Sequence, residues 1–269
     1  MRYLLLEERR IPHPPNFIDR LNAVFIILTI LLAIVTTVMV VASPSWGEQI
    51  DVLSLERAAV PSKTPLFMVQ SSPDARYMRG YVGIDYDGME WKLEKIESEG
   101  LDIDISYNKD TLSLYPAELA QTTSGYERGI LDAASFVSES RYMELPDDIT
   151  GRVKDLSREI TGRFDTPFEK ARAIEVFLKL NYDYDASFTP APEDWEPNDW
   201  FLFESEEGIC GNFASAFVVL ARASDIPARM AVGYFVRAGV GDQFVYESQA
   251  HAWAEVGFEN LGWIAFDAT

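Results

Sequence analysis

Residues 210–223 read as a helix that is apolar nearly all round, with Phe213, Ala214, Phe217, Val218, Val219 and Leu220 spread over its faces. Such a helix belongs at the centre of a domain, with other elements packed against more than one side of it. The neighbouring periodicity supplies those elements. Ile149, Val153, Leu156 and Ile160 recur at helical spacing and mark one face of an amphipathic helix. Thr166-Pro167-Phe168-Glu169 is a capping box with proline at the first helical position, and it opens a second helix with Phe168, Ala171, Ile174 and Leu178 on one face. A polar, proline-rich loop over residues 185–199 and the apolar run Trp200-Phe201-Leu202-Phe203 lead into the buried helix. Beyond it, residues 228–236, 244–246, 250–258 and 263–266 read as strands. Helices followed by strands predict an α+β fold, with helices packed on an antiparallel sheet.

The chain ahead of residue 146 has a different texture. Residues 79–86 and 90–93 flank Asp87-Gly88, a strong short-range hairpin signal. Leu66-Phe67-Met68-Val69 is a short apolar run, and residues 101–105 alternate strictly as a half-buried strand does. This predicts a small β-rich domain over 63–145, with no visible chemistry, ahead of a second domain over 146–269. Residues 44–62, with Pro44 and Pro61 and no clear period, read as a linker. Residues 21–42 contain no charge and are interrupted only by Asn22, Thr29, Thr36 and Thr37. A helix of about 20 residues spans the hydrocarbon core, so residues 21–43 are expected to be a transmembrane anchor. Arg2, Arg9, Arg10 and Arg20 precede it, whereas Glu48, Asp51 and Glu56 follow it with Arg57. The positive-inside rule then puts residues 1–20 in the cytoplasm and the rest of the chain outside. A cleaved signal peptide ending at Val40-Val41-Ala42 is the competing reading, but signal h-regions run only ~7–15 residues.

The 269-residue chain carries a net charge of −20, which would repel the phosphates of a nucleic acid and excludes that class of partner. Cys210 is the only cysteine, so no intrachain disulfide can form. It opens the buried helix, where free backbone N–H groups and the helix dipole favour a thiolate and can hold an oxyanion. Gly208 and Gly211 are expected to leave room for a substrate beside the sulfur. A structural cysteine, buried as a small hydrophobe, is the competing reading. His251 starts a strand in which alternation puts His251, Trp253 and Glu255 on one face and Ala252, Ala254 and Val256 on the other. Asp267 ends the next apolar run, where an adjacent antiparallel strand could bring it beside His251. A thiol nucleophile needs a base, and the base needs an orienting group, and these three residues offer one candidate for each role. Taken singly, His251 and Asp267 also fit as solvated groups at strand ends. Zinc held by the same three side chains is a further alternative, though no close ligand pair such as CxxC supports it.

Four blocks, Gly-Ile-Cys-Gly-Asn-Phe-Ala-Ser-Ala-Phe from 208, Asp-Ile-Pro-Ala-Arg-Met-Ala-Val-Gly-Tyr from 225, His-Ala-Trp-Ala-Glu-Val from 251 and Gly-Trp-Ile-Ala-Phe-Asp-Ala-Thr from 262, resemble the transglutaminase-like superfamily. With the two preceding helices the resemblance covers about residues 146–269. Arg79-Gly80 and the segment Tyr86-Asp87-Gly88-Met89-Glu90-Trp91 resemble, more weakly, the β segment that precedes this domain in membrane-anchored prokaryotic members. The resemblance implies a papain-like core with Cys210 as nucleophile, His251 as general base and acid, and Asp267 as the group orienting His251. It implies Trp200, Gly211 and Trp253 as candidates to line the oxyanion or substrate side, with the Cys210 backbone N–H as one donor. The calcium sites of animal transglutaminases have no matching segment, and neither a cofactor nor a metal is expected. Ala268 stands where the family usually has proline, and anchored relatives generally continue into another membrane segment beyond the point where this sequence stops.

The resulting expectation is a membrane-anchored, extracytoplasmic thiol enzyme. It would act on protein or peptide amide bonds through a cysteine thioester, resolved by an amine acceptor or by water. The alternative is a catalytically silent surface module that binds peptide or cell-wall polymer.

Overall fold

The computed structural model describes residues 52–53, 65–70, 72, 74–96, 105–107 and 118–269. The expected anchor over 21–43, most of the 44–62 linker and residues 101–104 of the alternating strand lie outside the described residues. Among the described residues, no helix is long and apolar enough to cross a membrane.

Helix α1 (Gly151–Thr161) starts at Thr150, whose hydroxyl accepts from the Val153 N–H, and it buries Val153 and Ile160. Helix α2 (Pro167–Asn181) starts at Thr166, whose hydroxyl accepts from the Glu169 N–H at 3.3 Å. Such a cap satisfies a donor that the first helical turn leaves without an intrahelical partner. Phe168, Ala171, Ile174 and Leu178 of α2 are buried, as their spacing requires. Helix α3 (Cys210–Arg222) is buried at every position from Gly211 to Arg222. Its all-round apolar surface is therefore matched by cover on all sides.

The strands are β1 (Pro65–Gln70), β2 (Arg76–Tyr86), β3 (Trp91–Lys95), β4 (Ala228–Val236), β5 (Asp242–Tyr246), β6 (Ala250–Phe258) and β7 (Gly262–Phe266). The main sheet runs Val52–Leu53, β3, β2, β4, β6, β7, Gln121–Thr122, with Glu118–Leu119 also on β2. All its pairs are antiparallel except Gln121–Thr122, which lies parallel to β7, so the sheet is mixed rather than purely antiparallel. A second sheet pairs β5, β1 and Ile105–Tyr107. Alternation along β6 sends Ala252, Ala254 and Val256 into the core shared with Phe213 and Phe217 of α3. Trp253 packs on the opposite face with Ala231 and Ala265, against Tyr77.

The hairpin segment joins this core directly. Strand β2 pairs with β4, and the buried Trp91 indole N–H donates to Ser215 Oγ of α3 at 2.8 Å. Gln49–Thr269 forms one compact unit, so the boundary expected near residue 146 falls inside a shared sheet and core. Local texture could not show this, because the pairing joins segments about 150 residues apart in sequence.

Candidate active site

Cys210 is the first residue of α3, and the preceding Ile209 is extended. The Ile209 N–H donates to Asn212 Oδ1 at 3.0 Å, the return half of a capping box. The Asn212 side chain fills the space that a Cβ at Gly208 would need. Gly208 therefore makes room for this cap, a different use from the substrate access expected of it. The first intrahelical bond runs from the Phe213 N–H to the Ile209 carbonyl. The amides of Cys210 and Gly211 thus precede the bonded ladder, at the positive end of the helix dipole.

His251 is the second residue of β6. Ala254 of β6 pairs with Phe266 of β7, so Asp267, one residue past β7, emerges beside the start of β6. His251 Nε2 lies 2.9 Å from Asp267 Oδ2, while Oδ1 accepts from the Thr269 N–H at 3.2 Å and from Thr269 Oγ1 at 2.8 Å. With Nε2 engaged, Nδ1 is the nitrogen left for the Cys210 thiol, which hydrogen-bonds His251 and accepts from the Ala252 N–H. The three residues singled out by sequence converge at one point. Among the described residues, no group of three or more His, Cys, Asp or Glu side chains is arranged to hold a metal ion.

Electrostatics within the triad run one way. Burial works against a charged Cys210, but the hydrogen bond and charge of His251 outweigh it and hold the thiol below its usual value. Burial also opposes charge on His251. Its bonds to Asp267 and Cys210 and their charges win, raising the imidazole to about 9. Asp267 resists burial in the same way and is held at about 2, chiefly by His251. A thiol pushed down beside an imidazole pushed up is the direction that favours a thiolate–imidazolium pair, the form in which a cysteine acts as a nucleophile.

The sequence model of the transglutaminase-like superfamily matches residues 154–268, which include all three groups. The chain carries a transglutaminase-like domain. The uncharacterized protein YebA of Bacillus subtilis is 37% identical over 147 residues, covering 51% of this chain. The protein-glutamine gamma-glutamyltransferase of Pseudomonas aeruginosa is 27% identical over 133 residues, covering 48%. Each match spans only 20% of the relative's own length. The periplasmic domain of TgpA from Pseudomonas aeruginosa has the same fold, with a TM-score of 0.56 at 18% identity over 81% of this chain and 92% of that one.

The other residues expected at the site of this transglutaminase-like domain are placed differently from one another. Gly211 follows Cys210 on the first turn of α3 and is buried. The Trp200 indole N–H donates to the Thr189 carbonyl at 3.1 Å, so that donor is committed away from the thiol. Trp253 is buried, stacks 6.2 Å from His251 and donates to Glu255, so it backs the imidazole instead of lining open surface. Two tyrosines that no motif marks also reach the triad. The Tyr184 hydroxyl accepts from the Cys210 backbone N–H, brought there by the parallel pairing of Asp183–Tyr184 with Glu207–Gly208. The Tyr77 hydroxyl donates to Asp267 Oδ2 at 2.8 Å. Tyr77 lies outside residues 154–268, so only the pairing of β2 with β4 reveals it.

Proposed function

We propose that this chain is a membrane-anchored, extracytoplasmic thiol enzyme that cleaves carboxamide or peptide bonds through a thioester on Cys210. The observation that carries the proposal is the meeting of the only cysteine with an imidazole whose far nitrogen lies 2.9 Å from a carboxylate. In the first half-reaction the Cys210 thiolate attacks the carbonyl carbon and forms the C–S bond. The oxyanion is held by helix-terminal N–H groups. The Tyr184 hydroxyl yields the Cys210 N–H as the carbonyl oxygen arrives. The C–N bond then breaks, and the proton on His251 leaves with ammonia or an amine. In the second half-reaction an amine or water attacks the thioester while His251 takes its proton, and the thiolate is released. No step calls for a cofactor or metal.

The substrate class is a protein or peptide bearing a carboxamide. The glutamyltransferase relative favours a glutamine side chain as donor and an amine as acceptor. The uncharged run at 21–42 and the arginines before it favour an anchored chain with its catalytic domain outside the cytoplasm. The test is hydroxamate formation from a glutamine peptide and hydroxylamine by the full chain. Product from wild type and none from Cys210→Ser supports the proposal. Tight peptide binding with no product from wild type would point instead to a silent binding module.

A further inference from the structure

Asp267 is the most heavily hydrogen-bonded member of the triad. Oδ1 takes both Thr269 donors, and Oδ2 faces two groups, His251 Nε2 and the Tyr77 hydroxyl. A carboxylate held by a single donor can turn about its Cβ–Cγ bond. One held on both oxygens has its plane fixed, and so is the direction in which it meets the imidazole. Tyr77 is itself held in place: its ring centroid lies 5.0 Å from Phe235, 5.2 Å from Trp253 and 6.1 Å from His251. Those contacts leave the hydroxyl aimed at Asp267.

The backbone explains how a residue on β2 can reach a triad spread over β6 and β7. Strand β4 lies between β2 and β6, with Phe235 opposite Tyr77 and Gly233 opposite His251. Gly233 has no side chain to stand between the phenol and the imidazole. The register also shifts between Val232 and Gly233, which brings β2 close at this point. A Cβ on Gly233 would collide with the Met78 carbonyl oxygen.

We infer that Tyr77, contributed by the strand ahead of the family domain, is a positioning residue that fixes Asp267 and through it His251. This rests on the catalytic reading of Cys210 proposed above. Tyr77 touches no reacting atom. Burial and then the Asp267 charge push its phenol well above the ordinary tyrosine value, so it remains a donor across the working pH range. The ionisable groups around it are Asp267 and His251, with the buried Glu175 of α2 beyond; Glu175 is paired with Arg172 and Lys179.

The test is the rate at which iodoacetamide alkylates Cys210 as a function of pH, on the full chain. Tyr77→Phe keeps the ring and removes the donor. With Asp267 less firmly held, the alkylation rate at pH 7 is expected to fall about 10-fold, the scale of one hydrogen bond to a charged group. The basic limb, set by His251 near 9, moves down toward the ordinary histidine value. On an Asp267→Asn background the same substitution is expected to change the rate less than about 2-fold, because the two residues act as one unit. A Tyr77→Phe profile that superimposes on wild type or shifts upward would overturn the inference. So would an equal loss on the Asp267→Asn background. If wild-type Cys210 itself reacts at pH 6.5 like an ordinary thiol, the catalytic reading fails first, and the two failures remain distinguishable.

Discussion

At the scale of single residues, Cys210 and His251 each push the other toward its charged form, with the Asp267 carboxylate behind the imidazole. Asp267→Asn preserves the shape but offers His251 an amide that can donate as well as accept, which allows the wrong tautomer. Turnover is expected to fall by about 10²–10⁴-fold on the scale of such orienting carboxylates. The same substitution has a signature in stability. Asp267, depressed to about 2, contributes stability that is present above its unfolded value of 3.8 and lost as pH falls through 2. His251, raised to about 9, contributes stability that is complete below 6.5 and lost as pH rises through 9. The unfolding midpoint of Asp267→Asn is therefore expected to trail wild type most between about pH 4 and 6.5, with the gap narrowing on either side. A gap that stays constant from pH 4 to 10 would show that the triad is not charge-coupled.

At the scale of elements, residues recognisable in sequence are those whose role is local. The cap at Thr166, the burial of α3 and the bounds of β4 and β6 all follow from propensity and period within a dozen residues. Cys210, His251 and Asp267 stood out because each sits at the end of such an element. Tyr77 could not stand out, since its partner Asp267 is 190 residues away. The role of Gly233 was hidden for the same reason. It appeared only as one letter of an apolar strand, whereas the structure makes it the point where β2 closes on β4. Gly233→Ala is expected to destabilise the fold by about 1–3 kcal/mol, the cost of overpacking, because the obstructing atom is backbone and cannot swing aside. It should slow Cys210 alkylation as well, by pushing Tyr77 away from Asp267. Wild-type stability in this variant, measured by urea unfolding, would show that the strands are less tightly apposed than the structure has them.

At the scale of the molecule, residues ahead of the family domain complete it. Glu255 is fully buried on β6, and its charge is met by Arg229 from β4 and by Arg79 from β2. Trp91 of β3 fills space against α3, and the guanidinium of Arg222 lies 5.2 Å from its ring. A chain cut to residues 146–269 would lose Arg79, Trp91 and Tyr77 together and leave β4 as an open edge. It is expected to show no cooperative unfolding transition, whereas residues 49–269 show one; a cooperative transition in the shorter chain would restore the two-domain picture. Because the whole molecule contains one cysteine, a bulk measurement reports on a single atom. The decisive experiment is the thiolate absorbance near 240 nm, taken as the difference between wild type and Cys210→Ser from about pH 4 to 8.5. A thiolate–imidazolium pair predicts that the band is already present below neutrality and persists across that range. A band that emerges only as pH approaches the ordinary thiol value of about 8.5 would contradict the pair and, with it, the proposed chemistry.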